Sequence, residues 1–294
     1  MKVISGIFFI LFTLVMVACG GSQKESQGFK VPDADQIAFL KTAASQPWDG
    51  LNLDDDVILE NEKEFMYIFV HWADPAIALY EKYGVLVGGE LIERVKGNNE
   101  MLVGVMDAAD KILRDPNSMY RCEELYISML EAALNSNVDD VYKEKYKAHL
   151  DKVLKNRKGM IANNFNYITD AGEQGTLHDI DSEYILLYFF NPDCHDCGRV
   201  TQVIATSQAV NALINTKKVC VLALYPDEDM AGWDNHQGEN PKTWITARYV
   251  DLKEREKYDL PAIPNVYLLD KDKKVIFKDG IIEEIVSYLE QKAK

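Results

Sequence analysis

The chain has little histidine and cysteine and no concentration of basic residues. Its 294 residues include five histidines and five cysteines, and Lys and Arg nowhere gather into a cationic face. Phosphate backbones are bound by concentrated positive charge, so a net charge of −15 argues against nucleic acid as a partner. The same balance argues against electrostatic adhesion to anionic lipid. A structural zinc site needs four ligands, and beyond Cys194-His195-Asp196-Cys197 there is neither a second C-x-x-C nor an H-x3-H spacing. No metal is therefore expected. Nor does any apolar run approach the ~20 residues of a transmembrane helix; the run from Gly6 to Ala18 falls short and no basic stop-transfer residues follow it.

What the amino terminus does have is Lys2, that apolar run and then small residues, the pattern of a signal peptide over residues 1–18. Met16-Val17-Ala18-Cys19, followed by Gly20-Gly21, resembles a bacterial lipobox with Met16 in the place of the usual Leu. In a lipobox the cysteine becomes the lipid-bearing first residue of the mature protein. The resemblance implies a lipid anchor at Cys19, a polar tether over 19–34 and a place in the bacterial cell envelope, on the periplasmic side or the cell surface. Ordinary cleavage near Ala18, with Cys19 a bystander, is the alternative.

The remaining length exceeds what one core usually serves, and the hydrophobic pattern changes midway, which predicts two domains, 35–157 and 158–294. In the first, apolar residues recur at helical spacing. Along "YRCEELYISMLEAAL", Cys122, Leu125, Met129 and Ala133 fall on one helix face, so Cys122 reads as a core thiol. "FMYIFVHWADPAIALY" reads as a buried helix that starts or kinks at Pro75, with His71 and Trp72 in the core. After Gly159, "EYILLYFF" (183–190) and "VCVLALY" (219–225) are short continuous apolar runs, as in strands covered on both faces. The stretch between them has helical spacing at Val200, Val203, Ile204, Ala209 and Leu213, and strand-helix-strand implies a parallel pair. A long polar segment (226–248), a helix ending near Tyr258, the hairpin "VYLLD"/"KVIFK" and a final helix from Ile281 to Lys292 complete the outline. Cys220 lies within the second strand and reads as inert.

In "FFNPDCHDCGRV" (189–200) the pair Cys194 and Cys197 sits between a strand and a helix. Unpaired N–H groups and the positive end of the helix dipole favour a thiolate at such a place, which makes Cys194 the attacking sulfur and Cys197, one turn further in, the resolving one. A passive disulfide is the alternative, since exported proteins use disulfides freely. A peroxiredoxin-like nucleophile fits poorly, because Asn191 stands where a Thr or Ser would precede the cysteine by three.

"NYITDAGEQGTLHDI", "YILLYFFNPDCHDC" and "YDLPAIPNVYLLDKDKKVIF" together resemble successive elements of TlpA/ResA-type thioredoxin-like proteins, over about 159–294. The resemblance implies an α/β thioredoxin-like domain, a central mixed sheet flanked by helices, preceded by an all-α domain. It also implies a cis Pro264 packed beside the redox pair, with the backbone of Ile263 pairing with the partner chain, and a redox-active Cys194-Cys197 pair needing no bound cofactor. The partners implied are protein thiol or disulfide clients and a thiol electron donor or acceptor. Asp193, His195 and Asp196 depart from the residues usual in and before the motif and are candidates for tuning the thiols, the two carboxylates toward a less oxidising pair. Tyr188 stands where a buried acid assists proton transfer in thioredoxin, and Val200 where reductive relatives often place Glu. The amino-terminal half, through "LRDPNSMYRCEELYISMLEAAL" and "GMIANNFNY", resembles an uncharacterised helical domain that precedes thioredoxin domains in lipoproteins of Gram-negative gut-type bacteria; Trp48 and Trp72 are candidates there for holding a client by size alone.

The function expected is thus an envelope thiol-disulfide oxidoreductase. The alternative is a non-catalytic binding lipoprotein that uses the fold as a scaffold and the cysteine pair as a structural disulfide. Labelling cells with a tagged fatty acid should mark the wild-type protein and miss Cys19→Ala; equal labelling of both would refute the anchor.

Overall fold

The computed structural model describes residues 33–235 and 238–293. The signal segment, Cys19 and nearly all of the tether lie outside the described residues. Among the described residues no helix is long and apolar enough to cross a membrane. The first helix already starts at Asp33, so the boundary expected at 34/35 falls within it.

The amino-terminal half is all helix: α1 (Asp33–Ser45), α2 (Glu62–Tyr83), α3 (Gly88–Val95), α4 (Asn99–Ala109), α5 (Glu123–Leu134) and α6 (Asp140–Val153). Caps set α2. The Asn61 side chain accepts from the Glu64 N–H, and Gly84, at φ 68°, ends the helix in the left-handed conformation that favours glycine. Pro75 neither starts nor ends α2, which runs through it. Burial there is one-sided. Phe65, Phe69, Trp72 and Ala76 face the core, whereas His71 is exposed against expectation, its Nδ1 2.8 Å from the Tyr67 carbonyl oxygen. Trp48 and Trp72 are fully inside and offer a client no surface. Gly88 lets α3 lie against α5, because a Cβ there would come within 2.9 Å of the Leu125 carbonyl oxygen. Cys122 stands just before α5 in a buried position, its side chain making no cap hydrogen bond, and burial pushes its thiol up to about 11.

The second half is a seven-stranded mixed sheet in the order β2-β1-β5-β4-β3-β6-β7. The strands are β1 (Asn166–Thr169), β2 (Gln174–Thr176), β3 (Tyr184–Phe189), β4 (Val219–Tyr225), β5 (Ile245–Tyr249), β6 (Asn265–Asp270) and β7 (Val275–Phe277). β3 pairs parallel with β4 and antiparallel with β6. Leu186 and Tyr188 face one layer, packed with Ile204, Leu213, Ile285 and Leu289; Ile185, Leu187 and Phe189 face the other, with Phe165, Leu177 and Tyr258. Both faces are dry, which is why the strand reads as an unbroken apolar run.

The crossover from β3 to β4 is two helices, α7 (His195–Thr206) and α8 (Gln208–Asn215), where the spacing predicts one. Ser207 makes the break, its hydroxyl accepting from the Val210 N–H at 3.3 Å. The bend hands the core position from Ala209, half-buried, to Val210. The polar segment 226–248 also holds structure: a short helix, α9 (Met230–Asn235), and β5, whose alternation of Ile, Thr, Ala and Arg hides an interior strand. The helix expected near Tyr258 is a 3-10 turn over Leu252–Lys257, and α10 (Ile282–Lys292) closes the chain.

The apolar cores of the two halves share no residue. Polar contacts join them. Asn156, buried at φ 52°, donates to the Lys257 carbonyl at 2.9 Å and accepts from the Asn163 N–H at 2.7 Å, and Lys155 Nζ donates to the Glu256 carbonyl at 2.6 Å. Asn156→Ala removes both side-chain bonds and puts a Cβ-bearing residue without a local hydrogen bond in the left-handed region, so urea unfolding should show a loss of about 2 to 3 kcal/mol. A change under about 0.5 kcal/mol would mean that this junction does not hold the halves together.

Candidate active site

β3 ends on Phe189, and the chain turns through Asn191-Pro192-Asp193 before α7 begins. Asn191 builds that turn. Its carbonyl oxygen accepts from the Cys194 N–H at 3.1 Å, its side-chain oxygen from the Asp193 N–H at 2.9 Å, and its amide nitrogen donates to Asp227 on the loop after β4 at 2.8 Å. The Asn-Pro-Asp triplet, a turn former, is the sequence signal for this role of Asn191.

Cys194 is the N-cap of α7, with its sulfur accepting from the Cys197 N–H at 3.3 Å. It is half-buried, and its thiol lies 3.7 Å from the Ile263 carbonyl oxygen, the acceptor of its S–H. The Ile263–Pro264 peptide is cis, and both residues are half-buried beside the sulfur. Cys197 lies behind, 2% exposed, with the Asn191 N–H 3.5 Å from its sulfur. Both cysteines are thiols. Burial, reinforced by the neighbouring Cys194 sulfur, pushes the Cys197 thiol up to about 12. Cys220, half-buried on β4, is pushed up to about 11 by burial alone, so it stays protonated at neutral pH, as does Cys122.

The structure thus gathers Cys194, Cys197, Ile263 and Pro264 at one end of β3 and β6. Asp193, His195 and Asp196 surround the pair on the water side: Asp193 is exposed, and the His195 and Asp196 side chains are 99% and 73% exposed, with His195 Nδ1 3.5 Å from Asp196. Charges so placed are screened, which weakens their hold on the sulfur. On the dry side, Tyr188 is fully buried; its hydroxyl donates to the Cys197 carbonyl at 2.7 Å and lies 3.3 Å from Thr201 Oγ1.

The segment before β6 and the loop after β7 are both tied to the helical half by ion pairs. Arg114 Nη2 lies 3.6 Å from Asp259, Arg121 2.5 Å from Asp279, and Lys278 2.7 Å from Glu123 while also donating to the Val153 carbonyl at 2.6 Å. Burial pushes the Asp279 carboxyl up and Arg121 pulls it back. With Pro261, these residues line one small cavity.

A strand that delivers a C-x-x-C to a helix N-terminus opposite a cis X-Pro peptide, within this sheet order, defines a thioredoxin-like domain. The chain belongs to the thioredoxin-like proteins: the crystal structure of one from Bacteroides caccae matches it with a TM-score of 0.80 at 31% identity, over 94% of this chain and 99% of that one. Residues 181–275 match a Thioredoxin-like family, and residues 43–156 match a domain of unknown function, DUF5106. The C-terminal domain of an uncharacterized protein from Bacteroides fragilis is 40% identical over 46% of this chain and 98% of that one, with a TM-score of 0.44. The thioredoxin domain of a thiol-disulfide oxidoreductase from Bacteroides vulgatus is 20% identical over 47% of this chain and 99% of that one, with a TM-score of 0.42. No curated protein matches the chain.

The difference between the two thiols is directly measurable. Iodoacetamide at neutral pH should modify Cys194 in the reduced protein and spare Cys197. Alkylation of Cys197 in Cys194→Ser should climb only above the ordinary thiol range, because burial, the main cause of its raised pKa, stays when the Cys194 sulfur is removed. Rapid labelling of Cys197 at pH 7 would show that burial does not protect it.

Proposed function

We propose that this protein is an envelope thiol-disulfide oxidoreductase of the TlpA/ResA type, anchored by lipid at Cys19 and acting on protein clients with no bound cofactor. The observation that carries the reading is the asymmetry of the pair: a half-buried Cys194 at a helix N-terminus beside Ile263 and Pro264, with a fully buried, protonated Cys197 behind it. A structural disulfide has no use for that asymmetry, whereas a two-step exchange needs it.

In the reducing direction, the Cys194 thiolate attacks a client disulfide. A Cys194–client S–S bond forms, the client S–S bond breaks, and the electron pair leaves on the client's other sulfur, which takes a proton from water. Cys197 then gives up its proton and attacks Cys194; the intramolecular disulfide forms and the client leaves as a dithiol. The protein is oxidised by two electrons and the client reduced by two, and a thiol donor restores the pair. The Ile263 backbone offers the client an extended partner next to the sulfur, as in β-strand addition.

The test joins catalysis to trapping. The wild type should accelerate reduction of insulin by dithiothreitol, and Cys194→Ser should fall to the uncatalysed rate. Cys197→Ala, exposed to an envelope extract, should retain clients as mixed disulfides that dithiothreitol releases. A wild type that does not accelerate insulin reduction, together with a Cys197→Ala variant that traps no client, would leave the scaffold reading in its place.

A further inference from the structure

The resolving step poses a proton problem. For Cys197 to attack, its S–H must ionise in a site that water barely reaches, and the flanking charges stand on the far side, in solvent. The titratable groups acting on Cys197 are Cys194, at the end of its own helix, and Tyr188, from β3 beneath it. Asp193 and Asp227 lie on the loops before α7 and after β4, the latter bonded to Asn191, and Glu283 of α10 is paired with Arg199.

Tyr188 cannot serve as a base, since burial pushes its phenol further up from an already high value and it never supplies phenolate at neutral pH. It offers a donor instead. Its single proton points to the carbonyl oxygen of the residue that must ionise, 2.7 Å away. With that proton committed, the 3.3 Å contact to Thr201 Oγ1 is one in which Thr201 donates to the phenol oxygen. Thr201 lies one helical turn beyond Cys197, so α7 presents carbonyl, thiol and hydroxyl to the same ring. A hydroxyl that accepts one hydrogen bond is a stronger donor of the next.

We propose that Tyr188 is the positioning residue of the resolving step: as Cys197 ionises, the Tyr188 O–H turns from the Cys197 carbonyl to its sulfur and, with the Asn191 N–H, holds the thiolate aimed at Cys194, while Thr201 steadies the phenol oxygen. The inference rests on the oxidoreductase reading above. The balance is simple. The Cys197 proton passes to solvent base, the sulfur's electron pair forms the Cys194–Cys197 bond, and the client sulfur departs with the pair from the broken mixed disulfide and is protonated by water. The polar back wall of the pair is thus a hydroxyl, with no carboxylate involved. A phenol differs from a buried acid in consequence. It stabilises the thiolate without taking up the proton, so it adds no ionisation of its own to the pH profile of resolution below pH 10.

Reaction of the reduced protein with 5,5′-dithiobis(2-nitrobenzoate) separates the two steps: Cys194 releases one thionitrobenzoate as it forms the mixed disulfide, and Cys197 releases the second as it resolves it. In Tyr188→Phe, which keeps the ring stacked on Phe190, the first release should be unchanged and the second slower by about tenfold. Alkylation of Cys197 in the Cys194→Ser background should titrate about one pH unit higher when Tyr188→Phe is added, one unit being the tenfold loss. Thr201→Val, which keeps the branched shape, should shift both readouts the same way by about twofold to threefold, and it decides the matter if circular dichroism shows Tyr188→Phe unfolded. Unchanged second release and unchanged Cys197 titration in the folded variants would overturn the proposal. Absence of the first release in the wild type would instead overturn the oxidoreductase reading itself.

Discussion

Backbone pairing of β3 on both sides is the constraint from which the site follows. With β4 parallel on one edge and β6 antiparallel on the other, the end of β3 cannot turn back and must leave the sheet. The crossover that carries the chain to β4 begins there as α7, so the first residue past the turn caps a helix. β6, running the opposite way, begins where β3 ends, which brings the Ile263–Pro264 peptide beside the same cap. Two residues seventy positions apart meet because of strand direction. Only then does the chemistry of a particular residue, a thiol in place of the more usual hydroxyl or carboxylate cap, become a reactive site.

The site is divided by polarity as well as by topology. The side chains of Asp193, His195 and Asp196 face water, where the carboxylates act through a screening medium, whereas the Tyr188 hydroxyl acts in a dry one where hydrogen bonds count for more. The first group governs what an approaching chain meets. The second governs what happens to the sulfur that the chain never touches.

Much of this was legible in the sequence. The continuous apolar runs of β3 and β4 and their parallel crossover were, because a strand buried on both faces leaves no polar register to confuse it. Cys194 as a helix cap was legible from the strand that ends before it and the helical spacing that follows, and Pro264 through the family resemblance. β5 was not, since Thr246 and Arg248 break its apolar pattern although it is an interior strand between β4 and β1. The split between α7 and α8 hid because Ser207 caps a helix without interrupting the apolar spacing enough to show it. His71 sits in a nearly continuous apolar stretch and so reads as core, yet α2 buries only one face and leaves it outside. Tyr188 was seen only as a missing acid; where its hydroxyl points depends on the packing of α7 over β3, which no spacing encodes.

The two halves meet through charge rather than through a shared apolar core, and this bears on inheritance. Arg121 and Asp279, Lys278 and Glu123, Arg114 and Asp259 are complementary across the junction, and Lys278 is almost wholly covered. Removing one partner of such a covered pair leaves the other charge stranded at a cost of about 3 to 5 kcal/mol, comparable to the whole stability margin of many domains. Viable changes at this seam must therefore come in matched couples. A redox domain joined on without the matching charges would leave Arg114, Arg121 and Glu123 of the helical half without these partners, so exchange of one half alone carries that cost.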